Sequence, residues 1–164
     1  MNELNREIYL VQNPAIGAAI LWRFVCGYYD ADNESRQVPL LLLFLVLPIV
    51  FRADLRDVIG STNKSSGLQK VSEKLFAGKK ADLFCSLQNS AAQYRDTTLS
   101  AINIAVGARL ISLSCTTALV IPIQVKTNRM PKSSENLLKL AEKLGIWCSS
   151  LSLYEISTLL KVRF

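Results

Sequence analysis

Asp54 and Asp57 stand three apart in the segment RADLRD, a spacing that puts two carboxylates on one face of a helix, where they can share a cation. Arg52 and Arg56 are interleaved with them, so surface ion pairing is the expected use of both. Other chemistry is excluded by residue type. The chain has no histidine, which removes Ser-His-Asp and Cys-His nucleophile systems, HExxH zinc sites and any imidazole acid or base. No GxxxxGK[ST] phosphate loop occurs, since Gly78-Lys79-Lys80 lacks the first glycine and the hydroxyl. No Asp-x-Lys or Glu-x-Lys pair is present to support a metal-dependent nuclease. Cys26, Cys85, Cys115 and Cys148 are widely spaced among apolar neighbours, which predicts buried reduced thiols rather than a disulfide frame or zinc ligands. The expectation is a chain with no catalytic residues, no metal and no cofactor.

The elements that would position any site are unusually apolar. Half of the 164 residues are apolar and mean hydropathy is +0.25, which suggests surface covered by another chain. One domain over 1–164 is expected, burying about 70% of the surface of the unfolded chain. Val38 to Phe51, VPLLLLFLVLPIVF, carries no charge and no hydrogen-bonding side chain. As a helix it rises roughly 21 Å, short of the roughly 30 Å of bilayer hydrocarbon, so it belongs to a core or a subunit interface and not to a membrane. Pro39 is read as a first-turn residue and Pro48 as a break, leaving a helix from Pro39 to Leu47. The amino terminus, MNELNREIYLVQNP, has Glu3, Glu7 and Arg6 where a secretory signal would be purely basic, and a cytoplasmic protein is expected.

Periodicity supplies the rest. Asn13-Pro14 starts a helix running to about Tyr28, with Ile16, Ile20 and Phe24 in one row and Leu21, Val25 and Tyr28 in another, so this helix is central. GSTNKSSG, residues 60–67, reads as a flexible loop, and a short helix with Leu68, Val71 and Leu75 inward follows. From Lys79 onward the spacing of Leu83, Leu87, Ala91, Tyr94, Thr98 and Ala105 predicts one helix of up to about 25 residues. Its other face, Ser86, Asn89, Gln93, Asp96, Ser100 and Asn103, is mostly uncharged and polar, and is either a subunit contact or a wet face. Alternation over Arg109–Cys115 and Leu119–Val125 predicts two antiparallel strands turning at Thr116-Thr117, the second an edge strand because of Pro122. Ser133 or Ser134 caps a helix carrying Leu137, Leu140, Ala141, Leu144 and Trp147, and Ser152 to Glu155 forms a capping box before a last helix, Leu153–Val162. The fold class is α+β, predominantly helical, with a small β-hairpin and a winged-helix-like outline.

Charge is divided. Five basic and seven acidic residues lie up to Asn63, and fourteen basic and six acidic from Lys64 onward. The basic half suits nucleic acid, an acidic partner or plain solvation. Lys126, Arg129, Lys132, Lys139 and Lys143 are the candidate stripe for nucleic-acid phosphates. The last helix offers Tyr154, Ser157, Thr158 and Lys161, without the arginine, asparagine or glutamine that reads a base edge.

Three segments, NPAIGAAILWRFVCGYY, PLLLLFLVLPIVFRADLRDVI and AEKLGIWCSSLSLYEISTLLKVRF, resemble the middle component of bacterial three-component ABC systems. The resemblance implies a small non-enzymatic subunit encoded between an SMC-like ABC ATPase and an effector, such as a nuclease, in conflict systems against phage or plasmids, the broad group that includes Lamassu-type defence. It implies docking on the ATPase and coupling of its DNA-sensing state to the effector, and offers no catalytic residues. Trp22, Phe24, Phe44 and Phe51 are then the expected partner interface. The competing reading is a stand-alone winged-helix DNA-binding regulator, and a third is an enzyme of unfamiliar type.

Overall fold

The computed structural model describes residues 13–31, 36–77, 82–123 and 132–164; side chains at 83–85, 132 and 133 are outside the description, as are the residues between these segments. The described elements run α1 (Pro14–Asp30), β1 (Val38–Pro39), α2 (Leu40–Phe51), α3 (Ala53–Gly60), a 3-10 turn (Lys64–Ser66), α4 (Gly67–Ala77), α5 (Asp82–Gln93), α6 (Arg95–Gly107), β2 (Ile111–Ser114), β3 (Leu119–Pro122), α7 (Lys132–Ser149) and α8 (Leu153–Leu160). The protein is α+β, mostly helical, with one small antiparallel sheet.

Helix α1 is the axle. Asn13 accepts the Ala15 N–H at 3.0 Å and Pro14 occupies the first turn, the start expected from sequence. Ten of its residues are buried, from Gly17 to Tyr28, because α1 packs on α7, on α6 and on the sheet at once. Glycines set how close these crossings are. A Cβ on Gly145 of α7 would lie 2.2 Å from the Phe24 carbonyl oxygen, and one on Gly27 of α1 would lie 2.3 Å from that of Glu142. The two helices therefore touch backbone to backbone, and Arg23 of α1 pairs with Glu142 of α7 beside the contact.

Helix α2 continues through Pro48 to Phe51, where a break was expected. Proline inside a helix costs about 3 kcal/mol, chiefly a lost hydrogen bond and a steric clash. Nine of the twelve side chains are buried, and each apolar one contributes about 1.5–3 kcal/mol, so packing outweighs the proline. Pro39 lies outside the helix as its N-cap, paired as part of β1 with Leu119.

The predicted long helix is two. Tyr94, at φ −83° and ψ 0°, bends the rod between α5 and α6, and its ring lies 5.8 Å from that of Phe51. The hairpin β2–β3 forms as expected, but β1 pairs with β3 (Val38↔Val120, Pro39↔Leu119), giving the order β1-β3-β2. The strand holding Pro122 is thus central, not an edge. Ile123 N–H bonds Leu110 C=O toward β2, so by alternation the N–H that Pro122 lacks would have pointed past the end of the two-residue β1, and no ladder bond is lost. The sheet rests on α1 and α6, not beside α8, so the winged-helix outline does not carry over and the stand-alone regulator loses its structural basis.

Helix α7 begins at Lys132, ahead of the predicted serine caps. The capping box before α8 is present: Glu155 N–H reaches Ser152 Oγ at 3.2 Å and Ser152 N–H reaches Glu155 Oε2 at 2.7 Å. Lys161, left-handed at φ 54°, ends α8 one residue before the buried Val162, short of the predicted end. Among the described residues no helix is long and apolar enough to cross a membrane.

Candidate interaction surfaces

The aromatic side chains expected to face a partner are built into the chain's own interior. Trp22, Phe24 and Phe51 are 3%, 1% and 7% exposed, and Phe44 is half-buried against the same core. Phe24 lies with Leu144 and Cys148 of α7 and with Leu42, Leu45 and Val46 of α2, and α2 is enclosed by α1, α5 and α7. The apolar surplus of the first fifty residues is mostly consumed by self-packing, with Leu41, 46% exposed, as the exception on α2.

A different surface stays open. Between Thr97 and Ile123 the sole charged residue is Arg109. That stretch nevertheless supplies Leu99, Ile104, Val106 and Ile123, four of the eight large apolar side chains exposed among the described residues. Leu99, Asn103 and Val106 are spaced by four and three residues, so they stand in one line along the outer face of α6, with Asp96 and Ser100 beside it. Asn89 and Gln93 continue the exposed uncharged face on α5, whereas Ser86 turns inward to accept from Arg52 at 2.7 Å. A low charge density with scattered aliphatics is the composition of interface cores rather than of ordinary wet surface. The apolar members of this face, unlike its polar ones, were not singled out from sequence; the signal available was the run of 27 residues with one charge.

The corner that leads into this rod is held by Arg52. Its guanidinium bonds both carboxylate oxygens of Asp54, at 3.2 and 2.7 Å, and the hydroxyls of Ser86 and Ser90. These bonds hold the Asp54 carboxyl below its ordinary range. Of the two RADLRD carboxylates, Asp54 is therefore held in an ion pair with Arg52. Among the described residues no three Cys, Asp or Glu side chains gather at metal-binding distance. Cys26 and Cys148 are buried and their thiols are pushed up to about 12 by burial, while Cys115 is exposed on the hairpin turn, where the strand alternation that would have turned it inward has ended.

The candidate phosphate stripe is only partly on view. Lys126 and Arg129 lie outside the described residues, and Lys132 lies on α7 with its side chain undescribed. Lys139 is exposed and pairs with Glu135 at 2.7 Å. Lys143 folds down instead: its ammonium donates to the carbonyls of Ile59 and Gly60, at 2.8 and 3.3 Å, and lies 5.2 Å from the Trp147 ring. It thereby caps carbonyls at the end of α3, where a cation also meets the negative end of the helix dipole. Lys74 of α4 donates to Ser61 O and Thr62 Oγ1, both at 3.0 Å, and Trp147 Nε1 donates to Lys64 O at 2.7 Å. The glycine- and serine-rich segment expected to be loose is thus pinned from α4 and α7. Lys64 and Lys74 were not among the sequence candidates, since only folding brings them to Lys143.

A family model described as "ABC-three component (ABC-3C) system Middle Component 3" matches residues 1–164. No curated protein and no solved structure matches the chain.

Proposed function

The chain belongs to the middle component 3 family of ABC-three component systems, and from that premise we propose that it is a non-enzymatic docking subunit bridging an SMC-like ABC ATPase to an effector in a complex directed against phage or plasmids, of which Lamassu-type defence is the pattern. The observation that carries the proposal is the exposed, charge-poor face of α6 with Leu99, Asn103 and Val106. A partner covering that face gains the burial of aliphatic surface at about 25 cal/mol per Å², with Arg95 and Asp96 at its edge the nearest charges on α6. Contact with DNA backbone through the basic half is the second part of the proposal, supported by a net charge of +6.

The test is co-expression of the chain with the ABC component and the effector of its own system. The wild type is expected to co-purify with the ABC component, and Leu99→Asp combined with Val106→Asp is expected to abolish this while leaving the helical circular dichroism unchanged and lowering the melting temperature by only a few degrees. A wild-type chain that purifies alone sinks the docking role. A folded double variant that still co-purifies sinks this face as the docking surface.

A further inference from the structure

Two ammonium groups converge on one loop, and a third lysine follows it in the chain. Lys74 and Lys143 reach the 59–62 backbone from opposite helices, and Lys64 stands exposed at the start of the 3-10 turn that follows. Among the described residues no carboxylate pairs with any of the three. Each of Lys74 and Lys143 uses two protons on the loop, so one N–H on each remains for a ligand. The loop carbonyls already fix both side chains, and Trp147 fixes the backbone of Lys64, so a ligand does not bear the full ordering entropy of those groups. Lys74 and Lys143 donate to adjacent residues of the loop, and burial, then the Lys74 charge, lower the proton affinity of Lys143.

One helical turn further out the pattern repeats. Lys70 precedes Lys74 on α4 and Lys139 precedes Lys143 on α7, both exposed and held only by surface pairs with Glu73 and Glu135. The two helices thus carry four lysines at one-turn spacing, more charge than a single anion requires. Lysine ammoniums meet phosphate oxygens as point charges, and the DNA-contact reading given above supplies a polyanion of that kind.

We propose that Lys64, Lys74 and Lys143 form a binding site for the phosphodiester backbone of duplex DNA, with Lys70 and Lys139 extending it. The proposal rests on the DNA-contact reading given above and supplies its location. The site is expected to be sequence-indifferent, because Lys74 and Lys143 have one N–H each left beyond the loop, which suits a single phosphate contact and not two-toothed reading of a base edge.

The experiment is fluorescence anisotropy of a short labelled duplex with the full chain, across a salt series, for the wild type and for Lys64→Glu combined with Lys74→Gln. Glutamine keeps a donor for the 61–62 loop, and circular dichroism confirms the fold. The double variant is expected to bind about tenfold or more weakly, with the slope of log affinity against log salt reduced by about 0.9 per lost phosphate contact, about 1.8 in all. A wild type that binds no duplex overturns the DNA-contact reading and the site with it. A wild type that binds, with a folded variant that matches it in affinity and slope, overturns the site alone. Displacement of the duplex by polyglutamate as readily as by unlabelled duplex overturns the choice of phosphate in favour of an acidic protein surface.

Discussion

Replacing Gly145 by alanine adds one methyl group where there is no room for it. The new carbon would stand 2.2 Å from the Phe24 carbonyl oxygen and 2.8 Å from the Tyr28 nitrogen. To reach ordinary van der Waals separation, α1 and α7 must part by about 1 Å, and because the obstructing atoms are backbone no rotamer change relieves the clash. Overpacking of this kind costs about 1–3 kcal/mol, and the upper end applies to a rigid contact. Alanine returns about 1 kcal/mol of helix propensity, leaving a net loss of about 2 kcal/mol. In a chain of this size that lowers the melting temperature by about 4–8 °C, read by circular dichroism at constant pH and salt. Gly107→Ala is the matched control, since nothing lies within 4 Å of its Cβ position, and it is expected to be neutral or to raise the midpoint by up to about 4 °C. Gly27→Ala should act in the same direction as Gly145→Ala, and the pair should cost less than the sum of the singles because one helix separation relieves both clashes. If Gly145→Ala melts at or above the wild type, or Gly107→Ala falls as far, then glycine does not set the α1–α7 distance and the reasoning fails.

Glu155 is held below its ordinary value of 4.5 by hydrogen bonds from the Ser152 N–H and hydroxyl, so its contribution to stability is complete above pH 4.5 and is lost as pH falls through the lowered value. Glu155→Gln should therefore be less stable than the wild type at neutral pH and converge on it in acid; denaturant titrations with parallel curves across pH would contradict this. Burial raises the Cys26 and Cys148 thiols to about 12, while Cys115 is exposed. Brief alkylation of the native chain near pH 8 should label Cys115 and spare the other two until the chain unfolds, as read by peptide mass spectrometry. Equal labelling of Cys26 or Cys148 would show that α1 or α7 opens readily.

Local signals in the sequence survive into the fold where they act over one turn. Asn13-Pro14 and Ser152 to Glu155 cap their helices with the bonds that their spacing implies, since a cap needs partners two or three residues away and no others. Pro48 and Pro122 depart from their local rules for the opposite reason. Whether a missing N–H matters depends on what else packs around it or pairs beside it, and both answers come from distant residues: the surroundings of α2 in one case, and Val38 with Pro39 in the other. The candidate surfaces divide in the same way. The charge-poor stretch from Thr97 to Ile123 can be read along the chain, but that Trp22, Phe24 and Phe51 face inward follows from helix crossings that no local pattern encodes.

By itself the sequence determined which reactions the side chains cannot perform, where most helices begin, the α+β class and a hydrophobic run too short for a bilayer, because each depends on residue type or near-neighbour spacing. Only the tertiary structure decided that this run fills the chain's own core, that α1 and α7 meet through Gly27 and Gly145, and that Lys64, Lys74 and Lys143 share one loop. Those outcomes depend on which elements come to lie side by side, and residues some 80 positions apart, such as Lys64 and Trp147, become neighbours solely through packing.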